Sequence, residues 1–276
     1  MPRRRCSTTW CGSIRSGRIV PTDAPRWAAP LLAVQFLTRL PVPILARLSA
    51  EQAGAGLARA MAWLPPVGTL IGAATAGVFV VAGWIWPPLV AATLALIVEA
   101  LLTGAFHEDA VADFCDAFGG TASGERALTI MKDSRIGSYG ALGLALSVVL
   151  RIAAMVALPA PVAAAAIVGA ATAGRSCAVT LAAIVAPVGS GAGMAVRAGR
   201  MPRGRLALAI VLALPGLAPI LWLRPGATGA AFGAMLVLLL WLRRFLIARI
   251  GGSTGDCLGF AAAMGQLALL LAVAVR

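Results

Sequence analysis

The chain has 276 residues, of which 60% are hydrophobic and only 12% are charged, and its mean hydropathy is +0.92. Soluble domains carry about 25% charged residues, so this composition excludes a water-soluble globular fold. The formal net charge of +13 would indicate nucleic-acid binding in a soluble protein. In a membrane protein, basic residues mark the cytoplasmic loops instead, and we predict no nucleic-acid partner.

The N-terminal region is polar and rich in arginine, without the apolar core of a signal peptide. We expect residues 1–27 to form a disordered basic tail. The apolar run 28–46 is interrupted by Arg39, Pro41 and Pro43. This interruption favours an interfacial or re-entrant segment over a full crossing of the membrane, and the sequence leaves that choice open.

Long apolar runs fill most of the remaining chain. Runs of about 18 to 25 residues match the length that a helix needs to cross about 30 Å of hydrocarbon, and they lack the alternation of barrel strands. The predicted fold is therefore all-α, a polytopic integral membrane helical bundle of about seven transmembrane helices, with 28–276 as a single membrane-embedded domain. The predicted spans are 61–84, 88–106, 138–158, 162–187, 206–223, 228–247 and 257–275.

The distribution of basic residues orients this bundle. With the N-terminal region on the cytoplasmic side, 19 of the 23 basic residues face the cytoplasm, Arg151 and Arg175 lie within spans, and only Arg224 and Arg276 face the other side. The loops that then face the cytoplasm are 107–137, 188–205 and 248–256. The polar chemistry of the chain is thus collected on one face of the membrane.

The predicted loop 107–137 contains the one histidine and six of the ten acidic residues of the chain. If 106–118 is helical, three carboxylates spaced i, i+4 and i+3 share one face, with a fourth beside them. These residues are Asp109, Asp113 and Asp116, with Glu108 flanking. Because like charges on one helical face repel each other, we expect a compensating cation. Magnesium fits, since it takes one or two carboxylates together with substrate phosphates; the alternative is a solvated acidic face.

Two further features of the same loop are chemically suggestive. His107 is a candidate general base, because histidine titrates near neutral pH, or else a polar cap at the membrane edge. A Ser/Gly-rich turn then presents cations and backbone N–H groups that suit phosphate oxygens. The candidate phosphate-binding residues in it are Lys132, Asp133, Ser134 and Arg135. The alternative for this turn is an ordinary basic loop beside the membrane.

Charged residues also occur inside the predicted spans, where they are costly and usually functional. Arg175 is a candidate partner of a phosphate or carboxylate in the bundle interior. Arg151 is as well explained by a pairing role, and Glu99 could be its partner. At the start of the last span, Asp256 follows a Gly-rich turn and could complete a metal site.

Four motifs together resemble the cobalamin synthase family, also called adenosylcobinamide-GDP ribazoletransferases. They occur in the family order, and the resemblance runs from about residue 28 to the C-terminus. The motifs are "FLTRLPVP" (36–43), "GAFHEDAVADFCDAFGG" (104–120), "RALTIMKDSRIGSYG" (126–140) and "GGSTGDCLG" (251–259). Where the family usually has glycine, this chain has Ala110 and Ala117.

The resemblance implies an Mg²⁺-dependent, multi-pass enzyme of the bacterial inner membrane, and the distribution of basic residues places its active face toward the cytoplasm. It implies that the phosphocobinamide moiety of adenosylcobinamide-GDP is transferred to α-ribazole or its 5′-phosphate, releasing GMP. From the chemistry of these residues, applied to that reaction, the expected catalytic residues are His107, Glu108, Asp109, Asp113 and Asp116. The expected metal ligands are Glu108, Asp109, Asp113, Asp116 and Asp256. The expected phosphate-binding residues are Lys132, Asp133, Ser134, Arg135 and Arg175.

Two other classes of membrane protein use similar chemistry. A CDP-alcohol phosphotransferase or an aromatic prenyltransferase would also use spaced aspartates and Mg²⁺ on a diphosphate, although the spacing here fits neither fully. A transporter would use carboxylates near the middle of the bilayer, often within inverted repeats, and no repeat is evident. Besides the two substrates and the lipid bilayer, the sequence leaves open a homo-oligomer or a complex with other cobalamin-assembly enzymes.

Overall fold

The computed structural model describes residues 24–188 and 200–275. In this part of the chain, eleven α-helices are joined by short turns and by two 3₁₀ helices, Pro43–Arg47 and Met61–Trp63. The α-helices are α1 (Ala28–Leu37), α2 (Ala50–Ala60), α3 (Leu64–Ala82), α4 (Pro88–Thr103), α5 (Phe106–Phe118), α6 (Gly124–Ile130), α7 (Ser138–Val156), α8 (Ala160–Ile184), α9 (Arg203–Leu223), α10 (Pro225–Ile250) and α11 (Gly255–Ala274). Most of the predicted basic tail, residues 1–23, lies outside the described residues.

Six of these helical segments are long and apolar enough to cross a membrane. They are α2 continued into α3, and the single helices α7, α8, α9, α10 and α11. A seventh crossing is formed if α4 and α5, which meet at an angle of 89°, count as one broken span. The prediction of an all-α, polytopic membrane bundle with about seven spans is therefore confirmed.

The segment 28–46 does not form one long helix. Its α-helical part, α1, has 10 residues and is about 15 Å long at 1.5 Å per residue, half of the hydrocarbon thickness. A capping box then starts α2, with Ser49 and Gln52 bonding each other's backbone N–H groups. Pro65 and Pro66 fall in the first turn of α3, where a missing N–H is tolerated.

Helix α8 lies at the centre of the bundle and is mostly buried. It packs against α3, α9 and α11, and small residues let these backbones approach closely. A methyl group added at Gly72 of α3 or at Gly174 of α8 would meet the neighbouring helix at less than a normal contact distance. This close packing makes α8 the scaffold against which the other spans are placed.

The break between α4 and α5 is built from two consecutive left-handed residues. Gly104 has φ 72° and Ala105 has φ 56°. Glycine adopts this conformation freely, whereas for alanine it costs about 1–2 kcal/mol. The break turns the chain by 89° and directs α5 along α7 and α11. The predicted helix 106–118 is confirmed, but it lies packed inside the bundle and not in an open loop on the membrane face.

Candidate active site

Helix α5 is held against α7 at both of its ends. Near its start, Glu108 Oε1 accepts a hydrogen bond from Arg151 Nη1 at 3.0 Å. Near its end, Asp116 accepts hydrogen bonds from the backbone N–H groups of Gly137 at 2.7 Å and Gly140 at 2.8 Å. Because the later residue of α5 bonds the earlier residues of α7, the two helices run antiparallel. The carboxylates of α5 are thus fixed relative to the turn that precedes α7.

Asp116 caps the N-terminus of α7 from a neighbouring helix. Each of its oxygens accepts one of the backbone N–H groups that an α-helix leaves unpaired in its first turn. A Cβ atom at Gly137 or Gly140 would collide with the Asp116 carboxylate, so only glycine fits at either position. The two halves of the predicted site are therefore linked by this carboxylate, which makes the acidic motif and the "RIGSYG" turn one structural unit.

A cavity of about 550 Å³ lies between the α4–α5 break, the polar face of α5 and the turn that leads into α7. It is large enough for part of a substituted diphosphate. Its lining comprises Gly104, Ala105, Glu108, Asp109, Ala112, Asp113, Met131, Lys132, Asp133, Ser134, Arg135, Ile136 and Leu144. Seven of the residues predicted from the sequence therefore share one cavity, with carboxylates on one wall and cations on another.

The carboxylates of the cavity form a cluster of like charge. Asp109, Asp116 and Asp256 all lie close enough to Asp113 to repel its negative charge. Asp256 reaches this cluster from the first turn of α11, although it does not line the cavity. Among the described residues, the charged groups that act on the Asp113 carboxylate are all acids, and such a concentration of negative charge is chemically suited to a bound divalent ion.

The acidic side chains of this region fit magnesium only when the ion binds in an open, partly hydrated mode. Within residues 24–188 and 200–275, no three acidic, histidine or cysteine side chains converge as a ready-made metal site. Magnesium needs no such cage, because it commonly binds one or two carboxylates and completes its shell with water and substrate phosphates. Asp109 and Asp113, both lining the cavity, supply the right oxygen chemistry for that mode of binding.

The cationic wall of the cavity is exposed. The Arg135 side chain, 87% exposed, contacts both oxygens of Asp133, with Nη2 at 2.6 Å from Oδ2 and Nε at 3.0 Å from Oδ1. These hydrogen bonds hold the pKa of Asp133 at about 2, below its usual range. Lys132 and Ser134 are also exposed. The ion pair of Arg135 with Asp133 is exposed to water. A phosphate that enters the cavity can therefore replace Asp133 as the partner of Arg135.

Beneath the cavity, charged residues of the spans form a buried network. Arg151 Nη2 donates to Glu99 Oε2 at 2.8 Å, which confirms the predicted pairing of these two residues. Gln266 Nε2 donates to Glu99 Oε1 at 3.3 Å, and Arg175 Nη1 donates to Gln266 Oε1 at 3.1 Å. Arg175 therefore faces the bundle interior as predicted, but it is buried outside the cavity.

His107 also lies away from the cavity. Its side chain is buried, and its ring meets that of Phe106 edge-on at 5.5 Å between centroids. The charges of Arg175 and Arg151 are near enough to oppose a protonated imidazole. Of the predicted site residues, those outside the cavity lining are His107, Asp116, Arg175 and Asp256.

Arg39, which the sequence motifs do not assign to the site, also lies in this region. Its backbone N–H donates to Leu102 O at 2.8 Å, and its guanidinium lies against Gly104, where an added Cβ would collide with it. Arg39 is exposed and stands beside the left-handed break that lines the cavity. Its position as a charge within the apolar run 28–46 is the sequence signal that could have identified it.

Ala110, one of the two departures from the family pattern, is accommodated by a glycine opposite. Ala110 is buried, and a Cβ at Gly259 of α11 would collide with its methyl group. Next to this contact, the rings of Phe114 and Phe260 stack at 3.8 Å between centroids. The second departure, Ala117, is completely buried. Neither methyl group enters the cavity.

The chain matches known proteins along nearly its whole length. Residues 29–274 match the family model described as cobalamin-5-phosphate synthase. No solved structure matches.

Curated relatives give the same result. A protein of Bradyrhizobium diazoefficiens is 40% identical over 247 residues, covering 88% of this chain and 92% of that protein. Proteins of Azorhizobium caulinodans and Ralstonia nicotianae are 38% and 37% identical, covering 88% and 87% of this chain and 94% and 92% of their own lengths. All three are named adenosylcobinamide-GDP ribazoletransferase. The chain therefore belongs to the cobalamin-5-phosphate synthase family.

Proposed function

We propose that the protein transfers the phosphocobinamide moiety of adenosylcobinamide-GDP to α-ribazole, or to its 5′-phosphate, and releases GMP. The observation that carries this proposal is the cavity, whose lining brings Asp109 and Asp113 together with Lys132 and Arg135. Acids that can hold a divalent ion and cations that can hold phosphate oxygens are the two parts that diphosphate chemistry needs. The names of the full-length relatives supply the substrate class.

The reaction is a phosphoryl-type transfer, in which catalysis is mostly positioning and charge neutralisation. A ribose hydroxyl oxygen of α-ribazole forms a bond to the phosphorus attached to cobinamide. The bond from that phosphorus to the oxygen of the GMP phosphate breaks, and GMP leaves with the bonding electrons. The hydroxyl proton passes to a base of the protein.

In this proposal, the acidic and the cationic residues of the cavity have complementary roles. Lys132 and Arg135 bind the diphosphate oxygens, Arg135 by exchanging its contact with Asp133 for the substrate. Asp109 and Asp113 are the residues that would hold Mg²⁺, with Asp256 close by. The bound ion would neutralise charge on the diphosphate. Ser134 lines the same wall and offers a hydroxyl donor.

Glu108 is the preferred base for the attacking hydroxyl. It lines the cavity, and one of its oxygens is fixed by Arg151, so the other oxygen is available at a defined position. His107 was the alternative from sequence, but it lies buried beside Phe106 and outside the cavity lining. Asp116 serves the site by tying α5 to α7, since both of its oxygens accept backbone N–H groups.

We place the cavity at the cytoplasmic face of the bacterial inner membrane. The basic loops support this orientation by the positive-inside rule. Trp84 and Trp86, in the turn between α3 and α4 on the other side, are exposed as expected at a membrane interface.

The proposed reaction is tested by a product assay on the purified protein in detergent or liposomes. With adenosylcobinamide-GDP, α-ribazole and Mg²⁺, we expect the cobalamin product and GMP in equal amounts. EDTA should abolish both products, and added Mg²⁺ should restore them. Glu51→Gln, which changes an exposed acid of α2, is the matched control and should retain full activity. Product from a CDP-alcohol substrate, with none from the cobinamide substrate, would contradict the proposal.

A further inference from the structure

The buried network beneath the cavity has a role in the reaction beyond holding the bundle together. We propose that Arg151 is a positioning residue that fixes the Glu108 carboxylate at the floor of the cavity. This inference rests on the proposed function, since Glu108 acts there as the base. It is carried by the geometry of Arg151, which bonds one acid on each side of the α4–α5 break.

Arg151 uses its two terminal nitrogens for two different helices. Nη2 donates to Glu99 of α4 at 2.8 Å, and Nη1 donates to Glu108 of α5 at 3.0 Å. Between these acids lie the two left-handed residues at which the chain turns by 89°. The backbone therefore does not continue as one rigid helix from Glu99 to Glu108. The guanidinium of Arg151 is the direct side-chain link between them.

The Glu99 end of this link is firmly anchored. Glu99 Oε2 also accepts from Thr75 Oγ1 at 3.3 Å, and Glu99 Oε1 accepts from Gln266 Nε2 at 3.3 Å. Arg175 in turn donates to Gln266. Side chains of α3, α7 and α11 therefore bond the Glu99 carboxylate directly, and Arg175 of α8 joins the network through Gln266. This arrangement gives Arg151 a fixed point from which to hold a residue of the cavity.

At the other end of this link, Glu108 is the acid that reaches the cavity. The Glu99 side chain is 4% exposed, whereas that of Glu108 is 19% exposed and lines the cavity. The two acids and the two arginines of the network carry equal and opposite formal charges, as buried charges require. The electrically neutral network therefore holds Glu108 through its Oε1 atom. The other carboxylate oxygen can then contact a substrate in the cavity.

A lysine cannot replace Arg151 in this role. The guanidinium is a planar fork whose separate nitrogens bond two acids at once, whereas an ammonium is a single point charge. Arg151→Lys keeps the charge balance of the network, so the protein should still fold and insert. We expect kcat to fall by about 10- to 100-fold, the usual cost of losing the residue that orients a site residue. KM for both substrates should stay near the wild-type value.

The test is a kinetic double-mutant cycle in the product assay. Glu108→Gln, Arg151→Lys and the double variant are compared with wild type, and Arg224→Gln, an exposed arginine on the opposite face, is the control. If Arg151 acts through Glu108, the double variant should be no slower than Glu108→Gln alone. Circular dichroism and the unfolding temperature of each variant establish that folded protein is being compared.

The outcomes separate this inference from the proposed function. Losses of kcat that multiply in the double variant would overturn the positioning role, because the two residues would then act independently. A loss in Arg151→Lys that follows only the fraction of folded protein would also overturn it. Wild-type protein that makes no cobalamin product would instead refute the proposed function itself.

Discussion

Asp116 offers a sharp test of the structure, because the sequence and the structure assign it different roles. The sequence groups it with Asp109 and Asp113 as a metal ligand. In the structure, both oxygens of Asp116 accept hydrogen bonds from backbone N–H groups, those of Gly137 at 2.7 Å and Gly140 at 2.8 Å. We therefore expect Asp116→Asn to lower the stability of the fold. Metal affinity should fall only as far as the fold is disturbed.

The size of this effect follows from the two hydrogen bonds. Asparagine keeps one acceptor oxygen but turns an NH₂ group toward the second backbone N–H, so one charge-assisted bond is lost. Such a bond contributes about 1.5–3 kcal/mol, and Asp116 is half-buried, so a loss of about 2 kcal/mol is expected. For a chain of this size that loss lowers Tm by about 4–8 °C.

The measurement is thermal unfolding in detergent, followed by the fluorescence of the seven tryptophans. Asp113→Asn is the matched control, with the same substitution three residues earlier on the same helix. Its carboxylate is repelled by neighbouring acids, so its Tm should be unchanged or higher. Equal Tm values for Asp116→Asn and wild type would refute the capping role.

Three further predictions address the packing of α5 and the cationic wall. Gly259→Ala should lower the free energy of unfolding by about 1–3 kcal/mol, because the added methyl group overpacks against Ala110. Adding Ala110→Gly to this variant should restore Tm, and a normal Tm for Gly259→Ala alone would contradict the contact. Ala105→Gly should raise stability by about 1 kcal/mol, because it relieves a left-handed alanine, and an unchanged or lower Tm would count against it. Lys132→Gln should raise KM for adenosylcobinamide-GDP about tenfold, equivalent to about 1.4 kcal/mol, with KM for α-ribazole unchanged; equal effects on both substrates would contradict a phosphate-binding role.

The spans and the acidic helix were predictable because both depend on local patterns. Apolar runs long enough to cross the bilayer identify the helices α7 to α11. The i, i+3 and i+4 spacing of Asp109, Asp113 and Asp116 identifies one face of a helix, and the structure confirms a helix at 106–118. The pairing of Glu99 with Arg151 was predictable because an isolated charge within a span needs a partner.

The remaining features depend on contacts between distant residues. The break at Gly104 and Ala105 lies between an apolar run and an acidic segment, and nothing in its composition predicts an 89° turn. The partners of Asp116 are the backbones of Gly137 and Gly140, which side-chain chemistry cannot reveal. The burial of His107 follows from how α5 packs, and helix spacing alone does not fix it.

The most direct test of the account is the rate of cobalamin formation by Asp113→Asn under single-turnover conditions with saturating substrates and Mg²⁺. Asp113 lines the cavity among like charges, and its Tm serves as the check on folding. The account predicts a folded, membrane-inserted protein whose rate is lower by about 100-fold or more, as expected for the loss of a charge-neutralising site. A near-normal rate would show that the diphosphate reacts elsewhere and would contradict the assignment of this cavity as the active site.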